Sequence, residues 1–525
     1  MASKRESLGS RSARTFSVLT VGRTLSLLIG ILSIIIIARL LGPNGYGIFT
    51  IAFAFFSLVS AASNFGFGQY LIKHISESED RGDREAFARV LAAGLASVVV
   101  VGLLLSLFGI AISGIVASLL HLPGVTPTIL IVAAATVFFS MMYGSTDYAL
   151  IGAGKNSTAV FVEVFENIVL LVAGVALILL GYGAAGAMAG ILVSYMTAGA
   201  VGTFLILRFA RRNMRVKVNV PSASDMKSAF KFALPIGGNN FLNNSMPSFA
   251  TLVLGFFVSA YQLGNFGIAM RARTILSTFY ITAAVTLIPT LTIAIARETK
   301  KERGKLEVVY NKSMEYSVLA SVPIISYLGV YSTPLIYLLI SQNFGSAPLY
   351  LSLIALGTVI GVVGVYATSM FIAKGRTTKL LAYTGMCTIV QLISLAILVP
   401  TWGVLGAIVS LFFVESVVCD YLFLRGARTV LGLNTDYNKL ARAFASNIAL
   451  GVAFALGFYF SNYALQLVYG VAILVFVYPL FLALFGSINK DDMSILHDAT
   501  EKLPALRFAL SPALSYVRFW VNHLQ

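Results

Sequence analysis

A chain of 525 residues that is 58% hydrophobic and 11% charged, with a mean hydropathy of +0.88, lies outside the range of soluble globular proteins and inside that of membrane proteins. Apolar runs of about 20 residues recur along the whole length, which excludes an enzyme on a single anchor and requires helices that satisfy their own backbone polar groups. The net charge of +16 sits in short loops between apolar segments rather than on one face, which excludes a nucleic-acid partner and reads as topology.

In chain order the apolar segments fall at 16–38, 46–71, 90–118, 128–152, 159–181, 184–207, 232–257, 266–296, 314–340, 347–373, 380–400, 403–424, 443–463 and 466–486. This pattern predicts an all-α, polytopic membrane protein of 14 spans, or 12 if one of the closely spaced pairs around Tyr182 or Trp402 is re-entrant. The first run exceeds a signal-peptide core and shows no small-residue cleavage pattern before Arg39, so it stays as the first span.

Placing the amino terminus inside puts 33 of the 37 Lys and Arg residues in alternate loops or the tails, the excess that cytoplasmic segments carry. Both termini are therefore expected in the cytoplasm of a cell-membrane protein. Only Arg23, Arg39, Arg271 and Arg273 fall elsewhere.

The longest basic polar break, Arg208 to Lys231, separates stretches that resemble each other. Tyr46-Gly47-Ile48 returns as Phe266-Gly267-Ile268, Gly154-Lys155 as Gly375-Arg376, and Gly183 to Ala187 as Gly403 to Ala407, at offsets of 220, 221 and 220. We read a tandem repeat. The expected organisation is a cytoplasmic tail (1–15), a six-helix lobe (16–207), a cytoplasmic linker (208–231), a second six-helix lobe (232–424), a cytoplasmic loop (425–442), two additional spans (443–486) and an amphipathic cytoplasmic tail (487–525). Six spans return the chain to the side it started from, so the lobes share one orientation and enclose a cavity served by alternating access.

Ionisable groups inside spans cost about 2.5–3.5 kcal/mol each on insertion scales, so each demands a reason. Arg23 lies in the first span at the depth of Glu166 in the fifth, and these two are expected to pair; Glu163 shares the helix face. Asn239, Asn240, Asn243 and Asn244 form two adjoining stripes at the start of the second lobe, offering donors and acceptors to a sugar, with Asn243 at the repeat position of Arg23. Arg271 and Arg273 stand at the outer end of the eighth span, where the charge count expects no cation, and lie about 200° apart on a helix. At most one can point fully into a cavity. Guanidinium matches phosphate oxygens, so Arg23, Arg271 and Arg273 are candidate diphosphate contacts. Glu415, midway through the twelfth span, is a candidate for an intramembrane charge pair or for cation coupling, with Asp420 nearer the inner end.

Other chemistry finds no constellation here. The histidines His74, His121, His497 and His523 are too dispersed for a metal site, Cys387 and Cys419 lie in apolar segments as core residues, and no cofactor or catalytic motif is present, so no enzyme is expected. Gly152 to Ser157 departs from a phosphate loop at both Ala149 and Asn156 and reads as a tight turn.

The stretch Ala38-Arg39-Leu40-Leu41-Gly42-Pro43-Asn44-Gly45-Tyr46-Gly47, with the span that follows to Gly66 and Gln69, resembles the polysaccharide (Wzx-type, O-antigen and lipid-linked oligosaccharide) flippases of the multidrug/oligosaccharidyl-lipid/polysaccharide (MOP) exporter superfamily. Two six-span lobes, a basic linker and two added spans are similar to that family over 16–486. The resemblance implies a MATE-like fold and transfer of a polyprenyl-diphosphate-linked oligosaccharide from the cytoplasmic to the outer leaflet for surface polysaccharide or glycoprotein synthesis. It also implies glycosyltransferases or a polymerase of the same pathway as partners. The rivals are a cation-coupled multidrug exporter of the same superfamily, whose cavity should be acidic where this one carries Arg23, and a peptidoglycan-precursor flippase.

Overall fold

The computed structural model describes residues 8–61, 66–212, 220–274, 303–488, 492–493, 515–520 and 523. Among these every regular element is helical. Nine helices are long and apolar enough to cross a bilayer, or ten if the bent pair at 347–373 is counted as one span; a count of 14 is not confirmed among the described residues. Two of the nine are long enough to hold two spans each, Gly22–Ala61 with 40 residues and Asn156–Arg212 with 57.

What divides them is glycine. In α1 (Leu8–Ala61) the helical path breaks at Gly42 (φ 62°, ψ 177°), followed by Pro43, where the sequence places the outer hairpin. Between α5 (Asn156–Leu177) and α6 (Gly183–Arg212) a π-turn (Ile178–Tyr182) ends at Gly183 (φ 52°, ψ −132°), and α13 (Thr377–Trp402) gives way to α14 (Val404–Ile408) at Gly403 (φ 55°, ψ −126°). Only glycine is at ease there. The two hairpins stand 220 residues apart and agree within a few degrees, so the repeat read from sequence is also a repeat of backbone geometry.

The turns predicted to be cytoplasmic repeat as well. After α4 (Pro127–Gly152), Gly154 (φ 65°) donates its N–H to Ile151 O at 2.9 Å and Lys155 donates to Leu150 O at 2.8 Å. After α12 (Gly364–Ala373), Gly375 (φ 66°) donates to Ile372 O at 3.0 Å and Arg376 to Phe371 O at 2.9 Å. Both are left-handed glycine caps that satisfy the last carbonyls of a helix.

Contacts group the chain into two compact units, Met1–Gly264 and Asn265–Gln525. In the first, α3 (Arg84–Leu120) packs on α4, α4 on α6, α5 on α6 and α1 on α5. The predicted second span does not run unbroken from 46 to 71, because Gly66 is left-handed (φ 61°) and α2 (Phe67–Asp80) starts after it; residues 62–65 lie outside the described residues. The basic stretch at 208–231 is shorter as a linker than its composition implies. Helix α6 continues to Arg212, and α7 (Ala223–Leu254) starts at a capping box in which Ser222 Oγ receives the Asp225 N–H and holds the Asp225 carboxyl below its ordinary pKa. Helix α7 packs against α1, α2 and α3, with Phe230 on Phe67 at 5.2 Å and Phe232 on Tyr70 at 5.9 Å, so the first unit takes it in.

The second unit holds the described helical residues 260–274 (α8) from Asn265 onward, α9 (Arg303–Val330), α10 (Ser332–Leu339), α11 (Ala347–Gly361) and α12 to α14. A π-helical stretch (Val409–Cys419), α15 (Asp420–Leu431), α16 (Tyr437–Ala455), α17 (Tyr463–Ala472) and α18 (Tyr478–Leu484) complete it. Residues 275–296 of the predicted eighth span lie outside the described residues. Asp492 returns to α9, accepting from Lys312 Nζ and Tyr316 OH at 2.8 Å each. Of the predicted amphipathic tail, helical residues 515–520 pack Val517 and Trp520 on the core of this unit, and Tyr516 OH donates to Phe476 O at 3.1 Å. Their apolar face meets protein.

Two features fit a lipid solvent. Leu103, Leu104, Leu107, Phe108 and Ile115 of α3 stand exposed together. Hydroxyls inside spans bond back to their own helix, as Ser33 does to Ile29 O, Thr136 to Val132 O and Thr358 to Ile354 O.

Candidate functional site

Each unit carries one intramembrane group of charges. In the first, Arg23 of α1 places Nε 3.8 Å from Glu163 Oε2 of α5. The partner is Glu163 and not Glu166. The α5 residues that meet α1 include Val160, beneath Gly22, and Asn167, whose Oδ1 fills the space beside Gly30; Glu163 lies on the same seam. Glu166 turns about 60° off that seam and meets α6, where Ser194 Oγ donates to its Oε1 at 3.0 Å. Glu166 is buried at 7% exposure, whereas the Arg23 side chain is 56% exposed, so the two acids play different parts. Glu166 closes a buried joint between α5 and α6; Glu163 holds a cation at an accessible edge.

Asp147 of α4 belongs to the same group, within electrostatic reach of Arg23 and Glu163, and our reading of the sequence passed over it. A carboxylate inside the 128–152 segment was signal enough to find it. Tyr143, one turn earlier, stacks on Tyr195 of α6 at 5.6 Å and 22°. Where α1 gives way to α2, a cavity of about 150 Å³ is lined by the polar side chains of Ser60, Gln69, Ser140, Ser145 and Tyr148.

In the second unit Arg273 of α8 lies with its Cζ 4.9 Å from the Phe412 ring centroid, a cation–π contact. Its Nε is buried and has no hydrogen-bond partner among the described residues. Glu415, one turn beyond Phe412, is within reach of the Arg273 charge and hydrogen-bonds the Gln391 side chain of α13. Sequence reading treated Arg273 and Glu415 separately; the structure joins them. Both Phe412 and Glu415 stand on the π-helical stretch, a backbone irregularity that recurs at functional positions. Arg271 is half-buried, two residues from Arg273 and on another face of α8.

The four asparagines Asn239, Asn240, Asn243 and Asn244 lie on α7, and their side chains are outside the described residues. Cys387 and Cys419 are free, buried and in contact with each other in the second core. Among the described residues no three His, Cys, Asp or Glu side chains could hold a metal ion.

The family model for "Polysaccharide biosynthesis protein" matches residues 12–294, more than half of the chain. The chain belongs to that family. Among curated proteins, this polysaccharide biosynthesis protein is similar to stage V sporulation protein B of Bacillus subtilis (strain 168), 22% identical over 507 residues, 89% of this chain and 94% of that one. Among solved structures it is similar to an inward closed conformation of the lipid II flippase MurJ, with a TM-score of 0.70 at 14% identity, covering 89% of this chain and 98% of that one. An inward-facing multidrug resistance MATE family transporter of the MOP superfamily gives a TM-score of 0.66 at 18% identity over 79% and 98%. The expected MATE-like, all-α fold is therefore the fold observed, and the family resemblance read around Gly42 holds. This member of the polysaccharide biosynthesis family shares its fold with those membrane proteins, and nine of its described helices are long and apolar enough to cross a bilayer.

Proposed function

We propose that the protein is a flippase that moves a polyprenyl-diphosphate-linked oligosaccharide from the cytoplasmic to the outer leaflet by alternating access of two six-span lobes, with both termini in the cytoplasm. The observation that supports this reading is Arg273, a guanidinium in the predicted eighth span whose buried Nε has no acceptor among the described residues. A lipid-linked sugar brings its negative charge on the diphosphate, which must leave water to cross. Arginine can receive it through paired hydrogen bonds in a low-dielectric setting. Glu415 then serves as the resting counter-ion, holding the guanidinium in place until the anion arrives. The α7 asparagines are the proposed contacts for sugar hydroxyls.

The test is translocation in vesicles reconstituted with the purified protein, using a fluorescent polyprenyl-diphosphate oligosaccharide beside the same glycan on a neutral lipid. The reading expects only the diphosphate to move. Equal movement of both, or export of organic cations alone, overturns it. Similarity to the lipid II flippase over 89% of the chain favours one second reading, a peptidoglycan precursor as cargo. It is decided by exchanging the glycan in the same assay.

A further inference from the structure

The second unit contains a carboxyl group for which the substrate reading has no use. Asp420 stands where the π-helical stretch ends and α15 begins, about one turn inside the predicted inner end of the twelfth span. It faces the break between α11 and α12, two halves of one span that meet at 45°.

The helix carrying Asp420 lies along a row of glycines. A Cβ at Gly357 would fall 2.6 Å from Phe412 Cβ, one at Gly361 would fall 2.6 Å from Ser416 Oγ, and one at Gly364 would overlap Asp420 Oδ1. Ser416 Oγ donates to Gly357 O at 3.0 Å, which ties the first of these crossings. At the third crossing the carboxyl occupies the space a side chain would fill, and it accepts the Gly364 N–H at the start of α12. That accounts for Oδ1. Oδ2 is buried without any hydrogen-bond partner among the described residues.

Among the described residues, the groups that act on Asp420 do not supply a counter-charge. From its own helix Glu415 faces it, from α13 the Cys387 thiol does, and neither is a cation. On the α12 side, Tyr366 turns to Ser317 of α9, and the cation that follows α12, Lys374, donates its Nζ to Leu431 O at 2.9 Å. A buried carboxylate oxygen with neither donor nor cation is among the costliest arrangements a protein interior can hold, whereas a carboxylic acid O–H leaves that oxygen neutral.

We propose that Asp420 is a proton-binding site, carrying its proton on Oδ2 in the conformation described here. Loss of the proton would create a charge that must find further donors beside the Gly364 N–H at the start of α12, next to the α11–α12 break. Proton binding and the bend of this span are thereby linked, whatever the cargo. Its test needs no substrate, so its failure is distinguishable from failure of the diphosphate reading, although Glu415 lies within electrostatic reach of both Arg273 and Asp420.

The test uses the full-length protein in detergent at neutral pH, by infrared difference spectroscopy of wild type against Asp420→Asn. The expected result is a protonated-carboxyl band in the wild type that is lost in the variant and fades as the pH is raised. If Asp420→Asn does not fold, Asp420→Glu replaces it, and the band should then shift in frequency rather than vanish. A difference spectrum containing only carboxylate bands overturns the proposal and leaves Asp420 as a helix cap. A band that is removed by sodium and restored by choline at constant pH overturns it too, since the site would then hold a metal cation.

Discussion

The two groups of intramembrane charge occupy repeats of one scaffold, yet they are not copies of each other. The repeat offset of 220 residues places Phe53 at the position of Arg273 and Tyr195 at that of Glu415. In the first unit this level is aromatic, with Phe53 on Phe56 at 5.6 Å, Phe56 on Tyr195 at 6.1 Å and Tyr195 stacked on Tyr143. In the second unit it is ionic, with Arg273 lying over Phe412 beside Glu415. The first unit keeps its charges elsewhere, and their partners are identifiable: Glu163 for Arg23, Ser194 for Glu166. The buried Nε of Arg273 lacks one among the described residues. Duplication fixed the backbone, including the glycine hairpins, while the side chains at matched positions diverged until one unit held rings and the other a cation with spare hydrogen-bonding capacity.

The strongest way to break the comparison is through the shared backbone. Gly183→Ala and Gly403→Ala each force a Cβ into a conformation that costs on the order of 1–3 kcal/mol. Because the two hairpins have the same geometry, both variants should lose folded yield in fluorescence-detected size-exclusion profiles to a similar extent. A large loss for one and none for the other would mean that the hairpins are not equivalent.

Next comes a transplant of chemistry between the repeats. Arg273→Phe installs the first unit's residue in the second, so it should retain thermal stability through contact with Phe412 and Gln391 while losing translocation. If it still translocates, the ionic character of this level has no part in transport. If it fails to fold, the guanidinium is structural.

A smaller effect is expected at Arg23. Its pair with Glu163 is long and the arginine is exposed, so Arg23→Ala should cost no more than about 1 kcal/mol, read as a shift of a few degrees in melting temperature. Glu166→Ala should cost more, because it removes the α5–α6 hydrogen bond and leaves space in a buried joint, with Ser194 bonded only to Ile191 O of its own helix. A larger loss at Arg23 than at Glu166 would reverse the roles assigned to the two acids.

Much of the fold was legible because glycine and apolar run length speak locally. Gly154, Gly183, Gly375 and Gly403 could be matched by eye, and each sits where only glycine is comfortable. Helix-face geometry was legible only to within a seam. Glu163 and Glu166 are one turn apart, and periodicity cannot say which faces α1 and which faces α6 until the helices are packed. The link between Arg273 and Glu415 was not legible at all, since the two lie on helices distant in sequence and no local pattern couples them. Asp147 was visible and passed over, because a single acid in a long apolar run weighs little when runs are being counted. The left-handed break at Gly66 was hidden by the same averaging, which carried one predicted span across it.

The central claim, that Arg273 receives the diphosphate of the cargo, is tested most directly by measuring translocation of polyprenyl-diphosphate oligosaccharide in vesicles carrying wild type, Arg273→Ala or Arg273→Lys at matched incorporation. A hydrogen bond to a charged group contributes about 1.5–3 kcal/mol, so the Ala variant should be slowed roughly tenfold or more. The Lys variant should recover part of the rate, because an ammonium supplies charge without the paired geometry. Translocation by Arg273→Ala at the wild-type rate would contradict the account and leave this arginine as a structural neighbour of Phe412.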